Sequence, residues 1–251
     1  MTKLPHAFLT RPLAHRALHD KARGRAENSP AAIKAAIDAG YGIEIDVQLS
    51  SDNTAMVFHD YHLGRLTGDT GPVAVRSAAN LGQVVLSGGT DTIPTLRQVL
   101  DQIAGQVPLV IEIKDQDGVM GNNTGPLERA VAETITGYQG DLAIMSFNPN
   151  AIATIAPLVP GIALGLVTDR YLAADWPILP AATRDHLAQI ADFDRVGSSF
   201  ISHNQAQLDD APVAALRTRS VPILCWTVKS EADEVQARKV ADNITFEGYL
   251  A

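Results

Sequence analysis

A chain of 251 residues, 46% apolar and 19% charged, can bury a sizeable core without covalent staples and fits either two small domains or one large α/β barrel. Its formal net charge of −8, with no basic stripe along the sequence and aromatics at only 5%, argues against a nucleic-acid binder. The lone cysteine, Cys225, excludes an intramolecular disulfide; Met1 to Arg11 hold no long apolar segment and no apolar run reaches the ~18 residues of a membrane span, so a cytoplasmic protein without stable membrane insertion is expected.

In chain order, short apolar runs predict strands at Arg11–His15, Gly42–Leu49, Ala55–His59, Leu109–Lys114, Leu142–Phe147, Ala163–Thr168, Arg195–Ser199, Pro222–Val228 and Asn243–Glu247. Helix punctuation falls between them. Ser29-Pro30 supplies a cap and a first-turn proline, and Gly40 closes that helix. Thr95 precedes a helical run ending near Gly105, and Ser230 with Asp233 resembles a capping box ahead of Val235 to Val240. Tyr61 to Thr92 breaks the rhythm with six glycines and one proline, and reads as a loop-rich insertion after the third strand. The alternation predicts parallel βα units and a single TIM (β/α)8 barrel over residues 1–251, with a doubly wound open sheet as the competing architecture.

The strongest chemical signal is Gly42-Ile43-Glu44-Ile45-Asp46-Val47. On a strand Glu44 and Asp46 share a face and lie roughly 7 Å apart at Cα, close enough to converge on one cation. Parallel barrel strands are buried on both faces, which disfavours reading these acids as solvated. Glu112 and Lys114 share a face in a second strand too apolar for solvent. Glu44, Asp46 and Glu112 make an all-oxygen donor set suited to Mg²⁺ or Ca²⁺, whereas zinc would recruit His or Cys. His15 and His59 end strands, where a barrel carries its active site, and are the candidates for proton transfer. His6, His19, His186 and His203 read as surface or loop residues, and His62 as loop. Arg16 beside His15 has the fork geometry for a phosphate. No Walker loop, Gly-x-Gly-x-x-Gly, Gly-x-Ser-x-Gly or His-x-His is present, which argues against nucleotide cofactors, serine hydrolases and amidohydrolases.

Leu13-Ala14-His15-Arg16, Glu27-Asn28-Ser29, Ile43-Glu44-Ile45-Asp46-Val47, Val57-Phe58-His59-Asp60, Ile93-Pro94-Thr95-Leu96 and Val110-Ile111-Glu112-Ile113-Lys114 resemble, in order and spacing, the glycerophosphodiester phosphodiesterases; Ser146-Phe147-Asn148 and Cys225-Trp226-Thr227-Val228 look like that family's later strands. The resemblance implies a TIM barrel that cleaves a small-molecule glycerophosphodiester to glycerol 3-phosphate and an alcohol, using one divalent cation. It implies Glu44, Asp46 and Glu112 as metal ligands, His15 and His59 as the acid–base pair, and Arg16 and Lys114 as phosphate contacts. Trp226 would wall the glycerol pocket, Glu27 would lie near the metal, and residues 61–92 would cap the substrate side. Ala17 stands where the family usually has glycine, at a cost of roughly 1 kcal/mol if the backbone there has positive φ. Asp242 to Glu247 follows the family's last strand only loosely. The rival readings are a non-catalytic phosphodiester-binding barrel and a phosphodiesterase for another diester or phospholipid. A membrane-acting toxin-like enzyme would want exposed apolar loops, which the sequence does not display.

Overall fold

Eight short parallel strands, buried on both faces over most of their length, close a barrel in the computed structural model, which describes residues 2–251; Met1 lies outside the described residues. The strands are β1 (Leu13–Ala14), β2 (Gly42–Leu49), β3 (Ala55–Val57), β4 (Leu109–Ile113), β5 (Leu142–Ser146), β6 (Ala163–Thr168), β7 (Phe200–Asn204), β8 (Ile223–Val228) and β9 (Asn243–Phe246). Their order is β1-β9-β8-β7-β6-β5-β4-β2, and pairing of β1 with β2 shuts the ring. β3 pairs antiparallel with β2 outside that ring, so the third predicted strand is not a stave. Its position follows from the five-residue turn after β2, too short for the crossover that parallel pairing requires.

Period-2 alternation divides the side chains. Ile43, Ile45, Ile111, Ile144, Leu166, Ile201 and Cys225 pack outward against the helices, with Ile33, Val99, Val131 and Ile152 among their partners. Leu13, Val110, Met145, Val167, Phe200 and Leu224 fill the lumen. Phe200 fits because its neighbour is Gly165, where an added Cβ would meet the ring at 2.4 Å. The short helix Ala7–Thr10 drives Phe8 into the same cluster, held by Asn243 Nδ2 donating to the Phe8 carbonyl at 2.8 Å. Apolar plugging at the strand N-termini leaves the C-terminal mouth for polar side chains.

The capping signals act as the sequence predicts. Ser29 caps Pro30–Ala39, which Gly40 ends at φ +76°, and Thr95 with Gln98 forms a full capping box on Leu96–Ile103. Ser230 caps a helix that runs Glu231–Ala237, so Val240 lies beyond it. The segment after β3 forms its own small core, with Leu63, Val73, Leu81 and Leu86 against Met56 and Phe58.

Three expectations are corrected. The strand expected at Arg195–Ser199 begins at Phe200: Asp192 holds Arg195 Nε at 2.5 Å in a turn, and Gly197 takes φ +69°. The true strand reads Phe-Ile-Ser-His-Asn, whose polar second half conceals it. His203 is therefore buried rather than superficial, accepting from Thr168 Oγ1 at 2.8 Å and donating to the Gln207 carbonyl at 3.2 Å. Exposed apolar loop residues do exist: Leu172 and Ile178 are 51% and 73% exposed in the loop after β6, because Tyr171 and Leu179 take its buried positions. Among the described residues, no helix is long and apolar enough to cross a membrane.

Candidate active site

Register places the acids. Asp46 on β2 pairs directly with Glu112 on β4, and Glu44 lies two residues earlier on the same face. All three are buried, and each offers an oxygen within 4.8 Å of the others. Lys114 continues the β4 side, its Nζ 2.7 Å from Glu112 Oε1 and 3.2 Å from Asp46 Oδ1.

The turn after β1 supplies the cationic wall. Arg16 and Ala17 both take positive φ, +51° and +63°, so the chain reverses and the Arg16 N–H donates to Glu44 Oε2 at 2.9 Å. Arg16 Nη1 reaches Glu27 at 2.8 Å and its Nε lies 3.6 Å from Asp46. The strained alanine is buried, so its methyl recovers contact that a glycine would lack. Asn28, also at positive φ, donates from Nδ2 to Asp46 Oδ2 at 2.9 Å.

Burial and the charges of Asp46 and Glu112 push the Glu44 carboxyl well above its ordinary range. Asp46 is equally buried, yet Lys114, the two histidines and Arg16 hold it well below that range. Glu44 Oε1 is buried with no hydrogen-bond partner. One unsatisfied oxygen within a compact all-carboxylate group is a donor set that fits a hard divalent cation, and a cation there would relieve the repulsion that raises Glu44. Glu27, bonded to Arg16 and Arg65, borders this group rather than joining it.

Both candidate histidines reach the cavity, each with a carboxylate on Nδ1. His15 Nδ1 lies 2.6 Å from Glu247 Oε2, and His59 Nδ1 lies 2.6 Å from Asp60 Oδ1. That contact fixes the tautomer and leaves Nε2 for proton transfer. Burial lowers the His15 pKa, against the opposing pull of Glu247. Glu247 also meets Lys229 at 2.9 Å and His19 at 3.5 Å, so His19 belongs to the cavity wall. His59 follows the extra-barrel strand, and Gln48 on β2 tethers it by donating to its carbonyl at 3.1 Å. Arg65, from the 61–92 segment, forks onto Asp60 and Glu27 at 2.6–2.9 Å and ties that segment to the mouth. Trp226 donates to the Ser202 carbonyl at 3.1 Å and turns its ring toward the opening beside Phe147.

These groups line one cavity of about 450 Å³ at the C-terminal ends of the strands. The sequence reading names its acids, both histidines, Arg16, Lys114, Glu27 and Trp226. It assigns no role to Glu247, Arg65 or His19, nor to Asn28 and Asp60, which hold Asp46 and His59 from behind. Asn28 and Asp60 stand inside two of the segments that carry the family resemblance, and Glu247 ends the last predicted strand.

Residues 15–243 match the model of the glycerophosphoryl diester phosphodiesterase family. A Bacillus subtilis (strain 168) relative, YhdW, is 24% identical over 241 residues, covering 90% of this chain and 92% of that one. A glycerophosphodiester phosphodiesterase of Caldanaerobacter subterraneus is 30% identical over 60% of this chain and 64% of its own. The fold is similar to that of an Oleispira antarctica phosphodiesterase solved with the product sn-glycerol-3-phosphate, with a TM-score of 0.79 and 23% identity over 96% of this chain and 94% of that one. It is also similar to a Parabacteroides distasonis glycerophosphodiester phosphodiesterase, with a TM-score of 0.74 and 22% identity over 94% and 92% of the two chains. With its strands, its paired acids and its histidines arranged as described, this chain belongs to the glycerophosphoryl diester phosphodiesterase family and is an enzyme of that class.

Proposed function

We propose that residues 1–251 act as one cytoplasmic enzyme unit that hydrolyses glycerophosphodiesters to sn-glycerol 3-phosphate and an alcohol. Glu44, Asp46 and Glu112 hold one divalent cation, Mg²⁺ or Ca²⁺, and His15 and His59 move the proton. The observation that carries this reading is two carboxylate-oriented imidazoles flanking a single buried three-carboxylate group in one cavity.

When bound, the ion supplies positive charge to a phosphate oxygen and so favours the transition state. Arg16 and Lys114, held by the same carboxylates, add fixed cationic donors that hold the phosphate in place. His15, which burial keeps toward the neutral form, takes a proton from the nucleophile, either a water or the substrate's own neighbouring glycerol hydroxyl. The nucleophile's oxygen bonds to phosphorus as the bond to the leaving alcohol breaks, and His59 gives its proton to the departing alkoxide; where the nucleophile is the substrate's hydroxyl, a water then opens the cyclic phosphate to glycerol 3-phosphate with the two histidines exchanging roles. Trp226 walls the side on which the glycerol half rests. The 61–92 segment, anchored by Arg65, borders the His59 side.

The test is release of glycerol 3-phosphate from glycerophosphoethanolamine by wild type, His15→Ala and His59→Ala with Mg²⁺ or Ca²⁺. Each variant should lose a factor of about 10²–10⁴ in kcat, the usual worth of a positioned acid or base. Undiminished turnover in either variant removes that residue from the reaction. Binding of the diester without turnover by the wild type would favour the non-catalytic barrel.

A further inference from the structure

A second cavity, of about 610 Å³, opens from the first on the His59 side. The two share His59, Arg65, Glu112, Lys114, Phe147 and Trp226, so anything seated in the second touches the phosphate-bearing groups of the first. His15, Glu247 and Lys229 line the first cavity and not the second. Beyond those shared groups the second cavity adds the apolar Tyr61, Met120 and Trp176 and the polar Asp60, His62 and Asp115.

Ring geometry decides what those side chains recognise. Phe147 lies 5.2 Å from Trp176 and 5.4 Å from Trp226, and Trp176 lies 5.0 Å from Tyr171. Phe147, Trp176 and Trp226, packed on one another, present a continuous apolar wall along one side of the cavity. Trp226 Nε1 is satisfied by the Ser202 carbonyl, and the buried Asp115 is satisfied by Asn148 Nδ2 and the Met120 N–H, so neither needs a bond from a ligand. The cations at the shared end, Lys114 and Arg65, are suited to phosphate. The volume falls within the ~300–1,000 Å³ of ligand pockets and exceeds what a small polar alcohol fills.

We propose that this cavity is the subsite for the leaving alcohol, and that the substrate class is glycerophosphodiesters whose alcohol carries an apolar chain or ring. The assignment rests on the proposed function, in which His59 protonates the departing alkoxide and so sets that alcohol on the His59 side. The polar wall of Glu247, His19 and Lys229 remains for the glycerol half.

The test is a series of sn-glycerol 3-phosphate esters of ethanol, butanol, hexanol and octanol, with the choline ester for comparison, each assayed below its micellar concentration. A methylene buried in a half-open pocket is worth about twofold in kcat/KM, half the transfer value. The octyl ester should therefore exceed the ethyl ester by more than about tenfold, mainly through KM, because the tail is bound alike in ground and transition states. Trp176→Ala and Tyr61→Ala should flatten that slope, and Trp176→Phe should restore most of it. Unchanged circular dichroism and melting would establish that the variants fold. Equal turnover along the alkyl series, preference for the choline ester, or a slope untouched by both alanine variants would overturn the proposal while leaving the hydrolytic function intact. Failure to cleave any ester, short or long, in the presence of the cation would sink the underlying function instead.

Discussion

Replacing Glu44 with glutamine should make the ion-free protein more stable while destroying its response to metal. Glutamine keeps the shape of the side chain and an oxygen to accept the Arg16 N–H, but removes a buried charge that faces Asp46 and Glu112. At an effective dielectric near 20, two carboxylates no more than 4.8 Å apart repel by at least about 3.5 kcal/mol. Glu44 has two such neighbours and recovers part of the cost from Arg16, so a net gain of about 2 kcal/mol is expected for Glu44→Gln at neutral pH. For a chain of this size that corresponds to roughly 4–8 °C in Tm. The sign depends on pH. Because the folded-state pKa of Glu44 is raised above its ordinary 4.5, its contribution is fully favourable below that value and is lost as pH rises through the elevated one. The advantage of the variant is therefore absent near pH 4 and grows toward pH 8. The assay is thermal melting in chelator across that range, followed by titration with Mg²⁺ or Ca²⁺. Wild type should gain about 2.7 kcal/mol at a hundredfold excess over Kd, and the variant should gain little. A Glu44→Gln protein that melts below wild type in chelator at pH 7.5, or that keeps the full ion-induced shift, would refute the reasoning.

Glu247→Gln removes the partner that raises the His15 pKa against burial, so the limb of the kcat/KM–pH profile governed by His15 should move to lower pH, with kcat down about 10- to 100-fold; an unmoved profile would separate Glu247 from His15. Arg65→Ala should free the 61–92 segment from Asp60 and Glu27, cut kcat by about tenfold through misplacement of His59, and speed proteolysis within that segment. Arg65→Lys keeps the charge without the fork and should recover only part of the loss. Ala17→Gly relieves about 1 kcal/mol of left-handed strain but gives up a buried methyl worth ~0.8 kcal/mol, so Tm should change by less than about 3 °C.

Legibility followed the strength of the local pattern. On β2 and β4, apolar residues alternate with acids inside runs too hydrophobic to be solvated, so strand, face and candidate ligands could be read together. The caps at Ser29 and Thr95 were equally direct, since each needs only residues within one turn. What escaped depends on distance along the chain. Glu247 meets His15 across 232 positions, and Arg65 meets Glu27 across 38, pairings that no local spacing encodes. β7 was misplaced because Ser202, His203 and Asn204 are polar residues in buried or half-buried strand positions, where tertiary partners such as Thr168 and Gln207 override the usual pattern. β3 was read as a stave because composition records its extended form but not the direction in which it pairs.

The central claim is that three carboxylates from two neighbouring staves hold the ion on which diester cleavage depends. Phosphorus NMR tests it most directly, by following glycerophosphocholine or an alkyl glycerophosphodiester with protein stripped by chelator and then resupplied with Mg²⁺ or Ca²⁺. Conversion to glycerol 3-phosphate should begin only after resupply, and should be lost when Glu44, Asp46 and Glu112 are replaced by their amides. Full-rate conversion in chelator, or by the triple amide variant, would contradict it.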